Sequence, residues 1–190
     1  MHIDFFERMI YNDEKSFLKE NNMKYIIKNK IISFGGSSTV RDDNGKDLYL
    51  VKGRVFTFTK YKKICSLDKT PIYRVRNKFF HILLPKVFIM DANGNKILMI
   101  KKRKLFSFRN DFVILPQPGV DMNISVNGDF IGRHYDILDN GVPVAHVRRN
   151  FNLIKDSFWL ETDLEDKAPL FIAIVIALDN YFDKLNNQNN

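Results

Sequence analysis

The chain has 190 residues, 45% of them hydrophobic, a formal net charge of +8 and a pI near 9.5. That length and apolar content suit one domain around one core, and the basic balance favours anionic partners without bearing on the fold. A single cysteine, Cys65, excludes an internal disulfide, and the opening "MHIDFFERMIYNDE" has neither the basic start nor the apolar run of a secretory signal, so the expected location is cytoplasmic.

Residues 1–22 read as a short helical or loose extension. Beyond them, "STVRDDNGKDLYLVKGRVF", "KVFIMDANGNKILMIKKRKLF" and "HYDILDNGVPVAHVRRNF" share one design. Each has an apolar approach, a turn with an acid and Asn-Gly, an apolar departure, a basic cluster and a bulky apolar residue. The turn glycines Gly45, Gly94 and Gly141 are about 48 residues apart, and "LDKTPIYRVRNKFF" between the first two is a weaker copy with Lys69-Thr70 at the turn. "QPGVD" around Gly119 and "VNGD" around Gly128 are predicted to be further turns. The unit is therefore about 24 residues, two strands and their connections.

Asn-Gly between apolar runs predicts a hairpin closed by a type I′ turn, which needs positive φ at both central residues. The flanks alternate as strands should: Phe56 and Phe58 with Thr57 and Thr59, Tyr73 and Val75 with Arg74 and Arg76, Phe158 and Leu160 with Trp159 and Glu161. Five or six hairpins make roughly a dozen strands, too many for a flat open sheet of this length, which predicts closure into an antiparallel barrel. Such a barrel is too wide to be filled by its own side chains.

The closing "PLFIAIVIALDNYF", Pro169 to Phe182, supplies the filling. Its charge-free run holds about ten apolar residues where roughly twenty are needed to cross a bilayer, so it reads as a core helix over about 169–182. A helix apolar on every side must be wrapped, and the barrel is the sleeve. Ala173 and Ala177 form a slimmer stripe, Pro169 suits a first turn, and Asp163, Glu165 and Asp166 suit the positive end of the helix dipole. The tail 186–190 is expected to fray.

No enzyme, metal or cofactor signature is present, which predicts a non-enzymatic protein. His2, His81, His134 and His146 are scattered, and Cys65, although near Lys62 and Lys63, has no adjacent His or second Cys. "SFGGSST" lacks the Lys of a P-loop, and counting twelve positions from Asp42 or Asp91 reaches Gly53 or Lys102 rather than the carboxylate of a calcium loop.

Basic residues recur at one phase of the repeat: Lys28 and Lys30, Lys52 and Arg54, Arg76 and Lys78, Lys101, Lys102, Arg103 and Lys104, Arg148 and Arg149. In an up-and-down barrel one phase falls at one end. The prediction is a basic collar from Lys52 to Arg149 opposite the Asn-Gly turns, a candidate site for anionic lipid headgroups or an acidic protein partner. The same charges would also solubilise strand ends and blunt exposed edges. Nucleic acid is disfavoured, because single-strand readers expose stacking aromatics whereas many Phe residues here alternate into the interior, and Trp159 reads as a packed or rim residue.

These residues resemble the LURP-one-related family of the tubby C-terminal-like superfamily, whose bacterial members are small single-domain proteins. The resemblance is carried by "MKYIIKNKIISFGGSSTVRDDNGKDLYLVKGRVFTF", "VNGDFIGRHYDILDNGVPVAHVRRNFNLIKDSFWLETD" and "LFIAIVIALDNYF", from about Met23 to Tyr181. It implies a twelve-stranded barrel around a central C-terminal helix, here within 23–185. It also implies two lipid-related readings. Tubby proteins bind phosphoinositides, although none of their lipid-binding residues is carried onto a position of this chain. Phospholipid scramblases act at membranes and carry an acidic, calcium-linked segment before their last helix. Asp156, Glu161, Asp163, Glu165 and Asp166 occupy a similar place with different spacing. The preferred expectation is a binding or scaffold module, peripheral at an anionic membrane; the alternatives are a scramblase-like membrane protein and a protein–protein interaction module without lipid.

Overall fold

Short runs that alternate apolar and polar residues, cut by turn residues, become twelve strands, and the one long apolar run becomes a helix. The computed structural model describes residues 23–28, 37–53, 61–77, 86–103, 112–129, 134–150 and 157–186, with side chains as far as Phe182. The strands are β1 Met23–Lys28, β2 Ser37–Arg41, β3 Asp47–Gly53, β4 Tyr61–Cys65, β5 Pro71–Asn77, β6 Lys86–Met90, β7 Lys96–Lys102, β8 Phe112–Pro116, β9 Ile124–Asp129, β10 His134–Asp139, β11 Val142–Asn150 and β12 Ser157–Thr162. The helix α1 is Ala168–Asn186. The predicted extension 1–22, the residues Lys30, Arg54, Lys78 and Lys104, the Phe56–Phe58 alternation and most of "SFGGSST" lie outside the described residues.

Apart from β8 and β9, neighbours in sequence pair antiparallel, and β1 also pairs with β12, which gives the order β8-β7-β6-β5-β4-β3-β2-β1-β12-β11-β10-β9. The sheet wraps into a nearly closed barrel; β8 and β9, its two edges, approach each other without a ladder among the described residues. Alternate side chains point inward: Tyr25 and Ile27 on β1, Leu98 and Ile100 on β7, Ala145 and Val147 on β11 are all buried.

Within the barrel, every residue of α1 from Ala168 to Tyr181 is buried. Each buried Leu, Ile or Phe side chain contributes about 1.5–3 kcal/mol relative to exposure, so the helix and the inward strand residues are one core. The helix starts where the last strand hands over: the Thr162 hydroxyl donates to the Val144 carbonyl at 2.7 Å and accepts the Leu164 amide at 3.1 Å. Asp163, Glu165 and Asp166 precede the first turn rather than stand in it. The helix also runs past the predicted end at Phe182, since "DKLN" contains no Pro or Gly to stop it.

Two turn expectations are corrected. Only Asn140-Gly141 has positive φ at both residues, 52° and 82°, as a type I′ turn requires. At "DDNGK" and "DANGN" only the glycine is left-handed, Gly45 at 84° and Gly94 at 94°. There the glycine amide donates back to Asp42 at 3.2 Å or Asp91 at 3.1 Å, the signature of a type I turn followed by a bulge, and the register shifts in β2–β3 and β6–β7. The cause is the acid two residues before the Asn: the carboxylates of Asp42 and Asp91 each accept the amide four residues on, from Lys46 and Asn95, at 2.8 Å. That bond holds a longer loop closed. Lys69, φ 76°, takes the glycine position in the weaker copy.

"VNGD" is not a turn but part of β9, where Gly128 faces Tyr135 at φ 139°. A Cβ there would stand 2.5 Å from the His134 carbonyl oxygen and 2.7 Å from the Tyr135 Cα, backbone atoms that cannot yield cheaply. Gly128→Ala is expected to destabilise the fold by about 1–3 kcal/mol, read as a lowered urea midpoint.

The turn carboxylates also make stability depend on pH. Asp47 is held below the usual carboxylate range by the Arg41 guanidinium, 2.5 Å away, Asp68 by the Ser66 hydroxyl and the Thr70 amide, and Asp91 by the Asn95 side chain. A depressed folded pKa contributes stability that is present above the unfolded value, about 3.9, and is lost as pH falls through the folded value. The urea midpoint is therefore expected to fall on acidification below about pH 4, and Asp91→Asn to flatten that limb.

Candidate functional site

The strand register decides where the basic residues stand. Lys52 pairs with Ser37, Arg76 with Tyr61, Lys101 with Lys86, Lys102 with Phe112, Arg148 with His134 and Arg149 with Phe158. All these rungs lie at the strand ends away from the turns that hold Asp42, Asp68, Asp91 and Asn140, and Arg103 continues past the end of β7. At the turn end stand Asp43, Asp121, Asp139, Asp163, Glu165 and Asp166 besides the turn acids, so the molecule is charged oppositely at its two ends. The C-terminal half of α1 reaches the basic end, where Phe112, paired with Lys102, packs on Tyr181 at 5.8 Å and Phe182 at 5.6 Å between ring centroids. The negative end of the helix dipole thus faces the basic residues.

A second asymmetry runs around the barrel. On β9–β12 and β1, cations and acids alternate and pair: Glu161 takes Arg148 at 2.5 Å and Lys24 at 3.7 Å, and His146 meets Asp136 at 2.7 Å. Trp159 lies half-buried between Lys24 and Arg148, 4.8 and 5.8 Å from its ring centroid. On β3–β8 the only carboxylate is Asp47, at the first position of β3 and bound to Arg41.

That β3–β8 wall carries unbroken cationic rows. Lys52 stands opposite Lys63, Lys63 opposite Arg74, and Lys86 opposite Lys101. Like charges directly opposite each other on neighbouring strands destabilise a sheet. Among the described residues no carboxylate pairs with Lys52, Lys63, Arg76, Lys86 or Lys101, and the Arg74 guanidinium donates to the Ala92 carbonyl at 2.7 Å. Between these rows one register line runs Tyr61, Arg76, Phe88, Met99, Leu115, its apolar members only partly buried. The wall combines cations with apolar contact area.

Of the sequence-predicted site residues, the structure brings Lys52, Arg76, Lys101, Lys102 and Arg103 to this wall and its basic end. Arg148 and Arg149 share the end but stand on the opposite wall, where Arg148 is already bound to Glu161. Lys63, Arg74 and Lys86 were missed by reading clusters at strand ends, because they stand inside or at the start of strands. The signal available was the lack of Asp and Glu across the β3–β8 segments.

Inside the turn end, Tyr25, Tyr49 and Tyr73 recur one repeat unit apart. Burial pushes all three phenols up, Tyr25 to about 12, with Tyr49 and Glu165 adding to its shift. No group of His, Cys, Asp or Glu able to hold a metal occurs among the described residues, which include Glu161, Asp163, Glu165 and Asp166.

A twelve-stranded antiparallel barrel threaded by its own C-terminal helix defines the tubby-like class of folds. Residues 23–179 match the family model described as LURP-one-related, and the chain belongs to that family. A crystal structure of a protein from Arabidopsis thaliana has the same fold, with a TM-score of 0.55 at 17% identity over 84% of this chain and 90% of that one. No curated protein matches the chain. Family and fold together support a binding or scaffold module.

Proposed function

We propose that this protein is a non-enzymatic, cytoplasmic module that rests its β3–β8 wall and adjoining basic end on an anionic phospholipid surface, peripherally and without insertion. The observation that carries this reading is the pair of cationic rows, Lys52–Lys63–Arg74 and Lys86–Lys101, which no carboxylate among the described residues pairs. Such rows cost stability in the free protein, and phosphate groups offset that cost when bound. Each Lys or Arg near an anionic surface contributes about 1 kcal/mol and is screened by salt, so five or six together give a useful membrane affinity. Tyr61, Phe88 and Met99 supply the apolar contact that an interface between headgroups and acyl chains accepts. A scramblase-like reading is disfavoured by α1, the barrel core: among the described residues no helix is long and apolar enough to cross a membrane.

The test is co-sedimentation of the purified chain with neutral vesicles and with anionic, phosphoinositide-containing ones, at low and high salt. Binding to the anionic vesicles alone, lost in salt, is the expected result. Equal binding to both, or to neither, overturns the reading and leaves an acidic protein partner as the occupant of the wall.

A further inference from the structure

The cationic rows of the β3–β8 wall have no neighbouring acids in sequence to answer them. Between Asp47 and Asp68, between Asp68 and Asp91, and between Asp91 and Asp111 the chain has no acidic residue. Like charges facing each other across strands leave a standing repulsion that an anionic group laid on the wall would relieve. Residues 1–22 hold such groups: Asp4, Glu7, Asp13, Glu14 and Glu20, against only Arg8, Lys15 and Lys19 in a chain that is basic as a whole.

The order of residues in that segment complements the wall. At helical spacing, about 100° per residue, Ile3, Phe6, Ile10 and Phe17 share one stripe. Glu7 and Glu14 border the stripe on one side and Asp13 and Glu20 on the other, while Arg8, Lys15 and Lys19 fall on the opposite face. The wall has the same layout with the sign reversed. Its partly buried Tyr61, Phe88, Met99 and Leu115 follow one register line, with the row Lys52–Lys63–Arg74 on one side and Lys86–Lys101 on the other. From β4 to β8 that line covers four strand spacings, about 19 Å, and Ile3 to Phe17 as a helix covers about 21 Å. The segment joins the barrel at Met23, the first residue of β1, and only β2 stands between β1 and β3. An anionic membrane would repel the same acidic border, so the segment fits the wall rather than the surface the wall binds.

We propose that residues 1–22 dock as an amphipathic helix on the β3–β8 wall of their own chain, covering its cations and its apolar line until an anionic surface displaces them. The displacement rests on the lipid reading, and the contact itself does not.

The experiment places a nitroxide on Asn12→Cys in the isotope-labelled full chain and reads the broadening of backbone amides by NMR without lipid; Cys65, 1% exposed, is shielded from the label. Broadening at Lys63, Phe88 and Met99, none at Ser125 and His146 on the other wall, and no change on dilution are expected. Phe6→Ser with Ile10→Ser keeps the net charge and should abolish the broadening. It should also raise affinity for anionic vesicles about tenfold, as expected when a site about nine-tenths covered is released. Were the segment a membrane contact, the same substitutions would lower that affinity and overturn the proposal. A wall without broadening overturns it whatever the vesicles show. Broadening that passes only between separately labelled chains assigns the wall to a second copy and overturns it too. Broadening with no vesicle binding by either protein upholds the contact and removes the lipid reading, whereas broadening and vesicle binding with no gain on release overturn the displacement.

Discussion

Ile174→Asp is expected to leave the chain unable to fold, and Ile174→Ala to lower its stability by about 2–5 kcal/mol. Ile174 is 0% exposed in a helix whose neighbours from Ile172 to Ala177 are equally buried, inside a sleeve of inward strand residues such as Val75, Ile89 and Leu98. Truncation to Ala removes three carbons from a site that twelve hydrogen-bonded strands prevent from collapsing, so the transfer and cavity terms both apply. A carboxylate at the same place would be stripped of water, and isolated buried charge costs more than the roughly 5–15 kcal/mol that a domain of this kind has in total. Far-UV circular dichroism on the Asp variant and urea unfolding on the Ala variant are the measurements. An Ala variant within about 0.5 kcal/mol of the parent, the range of surface substitutions, would contradict the central place of α1.

How far the sequence reveals this molecule follows from the range of each interaction. The helix over Pro169–Phe182 and the hairpins around Gly45, Lys69, Gly94 and Gly141 are legible because apolar period and turn chemistry act within a few residues. The turn type at "DDNGK" and "DANGN" is not read from Asn-Gly alone, since the Asp42 and Asp91 carboxylates reach four residues on and stretch the loop. Gly128 looks like a turn glycine because the clash it avoids comes from His134 and Tyr135 on the next strand. The basic end follows from repeat phase, but the wall does not. Lys63 becomes significant only when pairing sets it between Lys52 and Arg74, and pairing is a property of the closed sheet.

Lys63→Glu should make the fold more stable and the membrane contact weaker. In the folded barrel the new carboxylate would stand directly opposite Lys52 on one side and Arg74 on the other, replacing two like-charge rungs by two opposite-charge ones. Cross-strand pairs of opposite charge contribute roughly 0.2–1 kcal/mol each, so the urea midpoint should rise. At an anionic surface the same substitution changes the wall by two units of charge. At about 1 kcal/mol per unit, vesicle affinity should fall roughly thirtyfold at low salt. Lys24→Gln is the control: Lys24 lies on the opposite wall, toward the turn end, and is already bound to Glu161, so its loss should change vesicle affinity little. The two signs separate a binding surface from a solubilising one. If these cations only keep the protein in solution, Lys63→Glu stabilises the fold and leaves vesicle binding unchanged, and the lipid reading fails. If they bind phosphate, the wild-type chain keeps a repulsive row at the expense of its own stability, and relieving the repulsion removes the function.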